Sequence, residues 1–183
     1  MKKTVKNLTL AAMFMAIGMV LPFLTGQIPQ IGNMLLPMHI PVLLCGLICG
    51  WQYGAAVGFV LPLLRSAMFG IPVFFPTATS MAFELMTYGL AVGLLYQISR
   101  WQCVVALYRC LILAMIAGRA VWGIVQFIQV GVFGEGFTLK MFMAGAFLNA
   151  IPGIVLQLIL IPAIMVALDR TGLVHFRKHK KVT

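Results

Sequence analysis

The stretch Thr79–Ile98 reads TSMAFELMTYGLAVGLLYQI, twenty residues in which Glu84 is the only formal charge. A helix of that length spans about 30 Å, the hydrocarbon thickness of a bilayer. Similar apolar stretches flank it at Leu8–Leu24, His39–Gly50 and Tyr53–Phe69 on one side, and at Val104–Val130 and Phe142–Leu168 on the other. The whole chain is 62% hydrophobic and 9% charged, where soluble domains carry about 25% charged residues. This pattern predicts an all-α membrane protein. Its form is a six-transmembrane-helix bundle, one domain over residues 1–183 with a basic segment at 1–7 and a basic tail at 170–183. The second stretch is short for a crossing, so it is tilted or extended outward, and five spans plus a re-entrant segment is the competing count.

The net charge of +10 is placed by topology. Lys2, Lys3 and Lys6 precede the first stretch, Arg100 sits in the turn after the fourth, and Arg170, Arg177, Lys178, Lys180 and Lys181 follow the sixth. With six spans these all fall on one side, and the positive-inside rule predicts both termini to be cytoplasmic. The opposite connections carry only Glu135 and Lys140. The basic ends then contact anionic headgroups, and a nucleic-acid partner has no support. No small-residue cleavage pair follows the first stretch, so it reads as a retained span. Cys45, Cys49, Cys103 and Cys110 have no His or carboxylate at ligand spacing. They read as small buried hydrophobes, with neither disulfide nor metal site expected and no cofactor implied.

The charges and amides inside the spans are costly in lipid and therefore mark function. Alternating the direction of the spans brings most of them to one depth, toward the outside. Arg65 lies near the outer end of span three and Glu84 just inside that of span four. Arg119, Gln126 and Gln129 occupy the outer part of span five, Asn149 the outer part of span six, and His39 opens span two at that level. Arg119, Trp122, Gln126 and Gln129 fall on one helical stripe, Glu84, Thr87 and Tyr88 share a face, and Asn149, Gly153 and Gln157 repeat every four residues. This pattern predicts a polar ligand cavity near the outer face. Two arginines against one carboxylate leave a cation over, which suits an anionic ligand held by guanidinium. Arg119 is the first choice for that contact and Arg65 the second, with Glu84 pairing the other arginine. Gln126 and Asn149 would orient the ligand, Trp122 and Tyr88 would wall it, and His39 joins the candidate set. The structural alternative is a plain ion pair gluing helices together.

The outer connections Thr25–Met38, Gly70–Ala78 and Gly131–Met141 are long and nearly uncharged, with Gly and Pro in the first two. They read as lids over the cavity, or as loops lying in the headgroup layer. Gly46, Gly50, Gly54 and Gly58 recur every four residues, and Ala12 and Ala16 do so in the first stretch. Such rows allow close approach of membrane helices, within the bundle or from a partner.

Taken with this topology, Leu10-Ala11-Ala12-Met13-Phe14-Met15-Ala16 and Met38-His39-Ile40-Pro41-Val42 with the glycine row resemble the S components of energy-coupling factor (ECF) vitamin transporters. The resemblance covers nearly the whole chain. It implies high-affinity capture of a water-soluble vitamin at a bacterial cell membrane. It also implies a transmembrane coupling subunit, docked through Ala12 and Ala16, and two ATPase subunits. The chain is most similar to the pantothenate-type group, with pyridoxine, hydroxymethylpyrimidine and folate as alternatives. A rival of another class is proton-coupled transport through Glu84, which dependence on ATPases rather than on the proton gradient would exclude. Enzymatic activity is not expected. The chain has three carboxylates, no Ser-His or His-Glu constellation at one depth, and no phosphate loop, since Gly131-Val132-Phe133-Gly134-Glu135-Gly136 lacks the lysine.

Overall fold

A computed structural model describes residues 2–25, 37–99, 102–133 and 151–171. Six α-helices lie among them: α1 (Lys2–Val20), α2 (His39–Cys49), α3 (Trp51–Phe69), α4 (Thr79–Ile98), α5 (Val104–Phe133) and α6 (Ile151–Arg170). A 3₁₀ turn, Leu21–Thr25, follows α1, and a π-type turn, Phe74–Ala78, leads into α4. No strand occurs among the described residues, and the all-α expectation holds for them. The basic start is itself helical, so α1 begins six residues before the apolar stretch does.

Four segments are long and apolar enough to cross a membrane: Thr4–Phe23, Phe74–Ile98, Val104–Gln129 and Ile151–Arg170. Among the described residues the expectation of six spans is met in part, by these four; α2 and α3 fall short for different reasons. At 11 residues, α2 is roughly 16 Å long. Ten of its residues are buried, because it lies against α1, α3 and α4 and touches α6. A helix that is apolar all round belongs inside the protein. α3 has the length, at 19 residues, but carries Gln52, Arg65 and Ser66, the last two buried. Arg65 and Ser66 face protein rather than lipid, and Gln52 is exposed near the start of the helix.

Glycines set how closely α2, α3 and α4 approach. A Cβ on Gly46 would lie 2.6 Å from the Gly89 carbonyl oxygen, and one on Gly54 would lie 2.6 Å from the Gly46 Cα. Cβ atoms on Gly58 and Gly89 would strike the Leu85 and Gly54 carbonyls. Only hydrogen at these positions lets the backbones meet. Gly50 departs from the expected row. A Cβ there would meet nothing, and with φ at +101° it makes the turn between α2 and α3.

The ends of the helices sort onto two sides. Asn7 Nδ2 donates to the Cys49 carbonyl across 3.2 Å, and Thr4, Gly50, Tyr53 and Gln97 surround the same hollow. Val104 and Tyr108 face Arg170 across a groove between α5 and α6. The start of α1 and the end of α6 therefore lie on one side of the bundle, with the α2–α3 turn. Leu43, Leu61, Leu85, Leu107, Leu111 and Ile161 fill the interior with no exposed surface.

Candidate functional site

α4 is packed against α2, α3 and α5. Its inner face presents Ser80, Glu84 and Tyr88 at intervals of four residues, each at most 2% exposed. A buried carboxylate survives only with charged and hydrogen-bonding partners, and three converge on Glu84 Oε1. Arg119 Nη1 of α5 is 3.1 Å away. The Tyr88 hydroxyl donates to Oε1 across 3.0 Å, and His39 Nε2, from the first residue of α2, stands at 3.5 Å, so a His-Glu pair does share one depth, against the sequence expectation. The His39 and Tyr88 rings meet at 5.2 Å between centroids. Arg119 is 5% exposed. One terminal nitrogen meets Glu84, and its Nε and Nη2 make no hydrogen bond among the described residues.

Gly118, beside Arg119, leaves room for the ring of Tyr88, because a Cβ there would collide with Cε1 and Cδ1 of that ring. The ring passes close over the α5 backbone and reaches Glu84 from the side.

A second polar layer lies one turn further out, where α4 begins. Ser80 Oγ stands 2.6 Å from Gln126 Oε1, 2.8 Å from Gln129 Oε1 and 2.7 Å from the Pro76 carbonyl. Gln129 Nε2 donates to Thr79 Oγ1 across 2.8 Å, and Thr79 donates in turn to the Pro76 carbonyl. A single hydroxyl proton cannot serve three oxygens, so either the acceptors alternate or one glutamine amide turns to donate. The layer ties the start of α4 to α5 above the carboxylate.

Arg65 stands elsewhere. Its Nη1 donates to the Met19 carbonyl across 2.6 Å, and its guanidinium lies 5.1 Å from the ring centroid of Phe23 and 5.5 Å from that of Phe69. It caps the last turn of α1, where carbonyls lack helical partners and a cation is favoured. The expected pairing of Glu84 with Arg65 is therefore replaced by pairing with Arg119.

His39, Glu84, Tyr88 and Arg119 thus meet in one cluster, and Gln126 joins the layer above it. Trp122 is half-buried on the helix of Arg119. Thr87 turns back to its own helix, donating to the Phe83 carbonyl. Gln157 is 1% exposed on α6, and its Nε2 lacks a hydrogen-bond partner among the described residues. Asn149 lies outside the described residues, as do most of the first and third outer connections expected to act as lids. The middle connection is described, and Val73, Phe74 and Phe75 are exposed on it. That is how a loop in the headgroup layer behaves, the alternative to a lid. Ala12 and Ala16 are exposed on α1, whereas Ala11, Phe14 and Gly18 face inward.

Ser80, Thr79 and Gly118 were not singled out from the sequence. Ser80 could have been found, being four residues before Glu84 on the same face. Gly118 gave no signal, because its role depends on a ring from another helix.

Residues 6–165 match the family model described as ECF transporter, substrate-specific component. The chain belongs to this family. No curated protein and no solved structure matches it. As an ECF S component it is a multi-pass membrane protein of small-molecule transport and not an enzyme. S components as a class work with a membrane coupling subunit and ATPases.

Proposed function

We propose that this S component captures a water-soluble anionic vitamin at the outer face of a bacterial cell membrane, with pantothenate the first candidate. The observation that carries this reading is Arg119. Its guanidinium is buried and half-committed to Glu84, with Nε and Nη2 left to meet a carboxylate or phosphate in a two-pronged contact. Glu84, Tyr88 and His39 hold the arginine and shape the pocket, Gln126 orients polar atoms of the ligand, and Trp122 supplies an apolar wall. Asn149 keeps its proposed part in orienting the ligand. Arg65 is the weaker candidate for the anion contact, since its cap on α1 already employs its charge.

The side assignment rests on charge. The lysines of α1 and Arg170 lie at one end of the bundle, which makes that end cytoplasmic and the site's end external. The exposed Ala12 and Ala16 form a flat strip on which the transmembrane coupling subunit docks, with two ATPases behind it.

Thermal-shift and calorimetric titration of the purified protein with pantothenate, folate, pyridoxine and hydroxymethylpyrimidine tests the reading. Pantothenate or another anion should bind tightly. Loss of one partner of a buried charged contact costs about 3–5 kcal/mol, so Arg119→Met should weaken binding by hundreds- to thousands-fold. A neutral ligand held equally by wild type and Arg119→Met would refute the anion site.

A further inference from the structure

We propose that the site takes up its anionic ligand together with one proton, received by His39 and held between Nε2 and Glu84 Oε1. The inference rests on the anion reading above and adds to it how the charge is balanced. Glu84 and Arg119 in contact at 3.1 Å form a neutral pair. A ligand carboxylate on the remaining nitrogens of Arg119 makes two anions to one cation in a place where every member is at most 5% exposed. An excess charge there is strongly disfavoured unless a partner neutralises it.

His39 is the group placed to do so. Imidazole is the only side chain whose ordinary titration lies near neutrality, and this one is 3.5 Å from the carboxylate oxygen that would lose part of its hold on Arg119. Tyr88 already donates its single hydroxyl proton to that oxygen, has no second one to give and, as a neutral phenol, takes none up. The other charged groups on helices packed against α2 are placed elsewhere. The lysines of α1, Tyr53 of α3, Tyr96 of α4 and Asp169 and Arg170 of α6 belong to the opposite end. Arg65 of α3 is bound at the Met19 carbonyl. On α2 itself only Cys45 and Cys49 titrate, two and three turns away.

The sign follows from linkage. A complex holding one more proton than the empty site binds more tightly as pH falls. Over the range where the empty site is unprotonated, affinity should fall about tenfold per pH unit as pH rises. The ATPases still supply the energy of transport, and the proton leaves with the ligand.

The test is titration calorimetry of the purified protein at pH 6 to 9, in two buffers of different ionisation heat, with pantothenate and then folate as probes. Wild type should take up close to one proton per bound anion. Glu84→Gln removes the competing anion, so it should bind with no proton uptake and with less than about twofold change in affinity per pH unit. His39→Gln should lose the uptake and bind more weakly than wild type at pH 6, with the difference closing by pH 9. An anion bound by wild type without proton uptake, or uptake that persists in His39→Gln, overturns the inference and leaves the anion site standing. Binding of uncharged probes only, or of neither anion, overturns the anion site and the inference with it.

Discussion

Arg65 and Arg119 show how little an arginine's depth says about its work. Both sit in the half of the bundle away from the α2–α3 turn and both are nearly inaccessible, yet one closes a helix end and the other faces a carboxylate. Their replacements should therefore separate. Arg65→Met leaves the half-buried Met19 carbonyl without its donor and should cost about 1–3 kcal/mol of stability, read as a lower unfolding temperature in detergent, with ligand affinity of the folded protein unchanged. Arg119→Met should show the reverse. Gly118→Ala should act on Tyr88 without touching a charge, pushing the ring off Glu84 and weakening ligand binding by about five- to a hundredfold. Tyr88→Phe should reproduce that loss, and a Gly118→Ala protein with wild-type affinity would contradict it. That Glu84 lies at the depth of the arginines was legible from the sequence, but its partner was not: the sequence pointed to Arg65, and the structure gives it Arg119. The cap by Arg65 was not legible either, because a backbone carbonyl at a helix end leaves no mark in the residue types around it.

At the scale of helices, the glycines divide by what lies opposite them. Gly46, Gly54, Gly58 and Gly89 face backbone atoms that cannot move aside, so Gly89→Ala must part α3 from α4 along their length. It should lower the unfolding temperature sharply, or prevent recovery of folded protein, by more than the 1–3 kcal/mol of ordinary overpacking. Gly50→Ala meets no atom and suffers only from its backbone at φ +101° and ψ 167°, at about 1–3 kcal/mol, so it should fold and bind ligand. Comparing the two unfolding curves checks the distinction. Spacing by four was enough to find this row in the sequence. It could not tell a turn from a contact, nor reveal that Gly89 and Gly93 on α4 answer it, because the partner helix contributes half of each crossing.

For the whole molecule, the exposed strip on α1 and the buried cluster are separate surfaces, and the proposed function gives them separate tasks. Ala16→Trp should block co-purification with the coupling subunit while leaving ligand affinity as in wild type; the opposite pattern would place Ala16 in the core. Proteoliposomes containing this chain alone should bind ligand but not accumulate it, and accumulation without ATPase subunits would end the S-component reading. The enclosed α2 also bears on how the protein is made. A segment of 11 residues is too short to partition into lipid as a span by itself, and His39 at its head adds to the cost of entry. It must wait at the membrane surface during synthesis until α3 follows, and the two then enter as a hairpin on the Gly50 turn, with α4 closing behind. Chains halted after Cys49 should thus stay accessible to protease, whereas chains halted after Ile98 should be protected. A replacement at Gly54 would then act before the native state exists, as a failure of biogenesis and quality control rather than as a weakened fold.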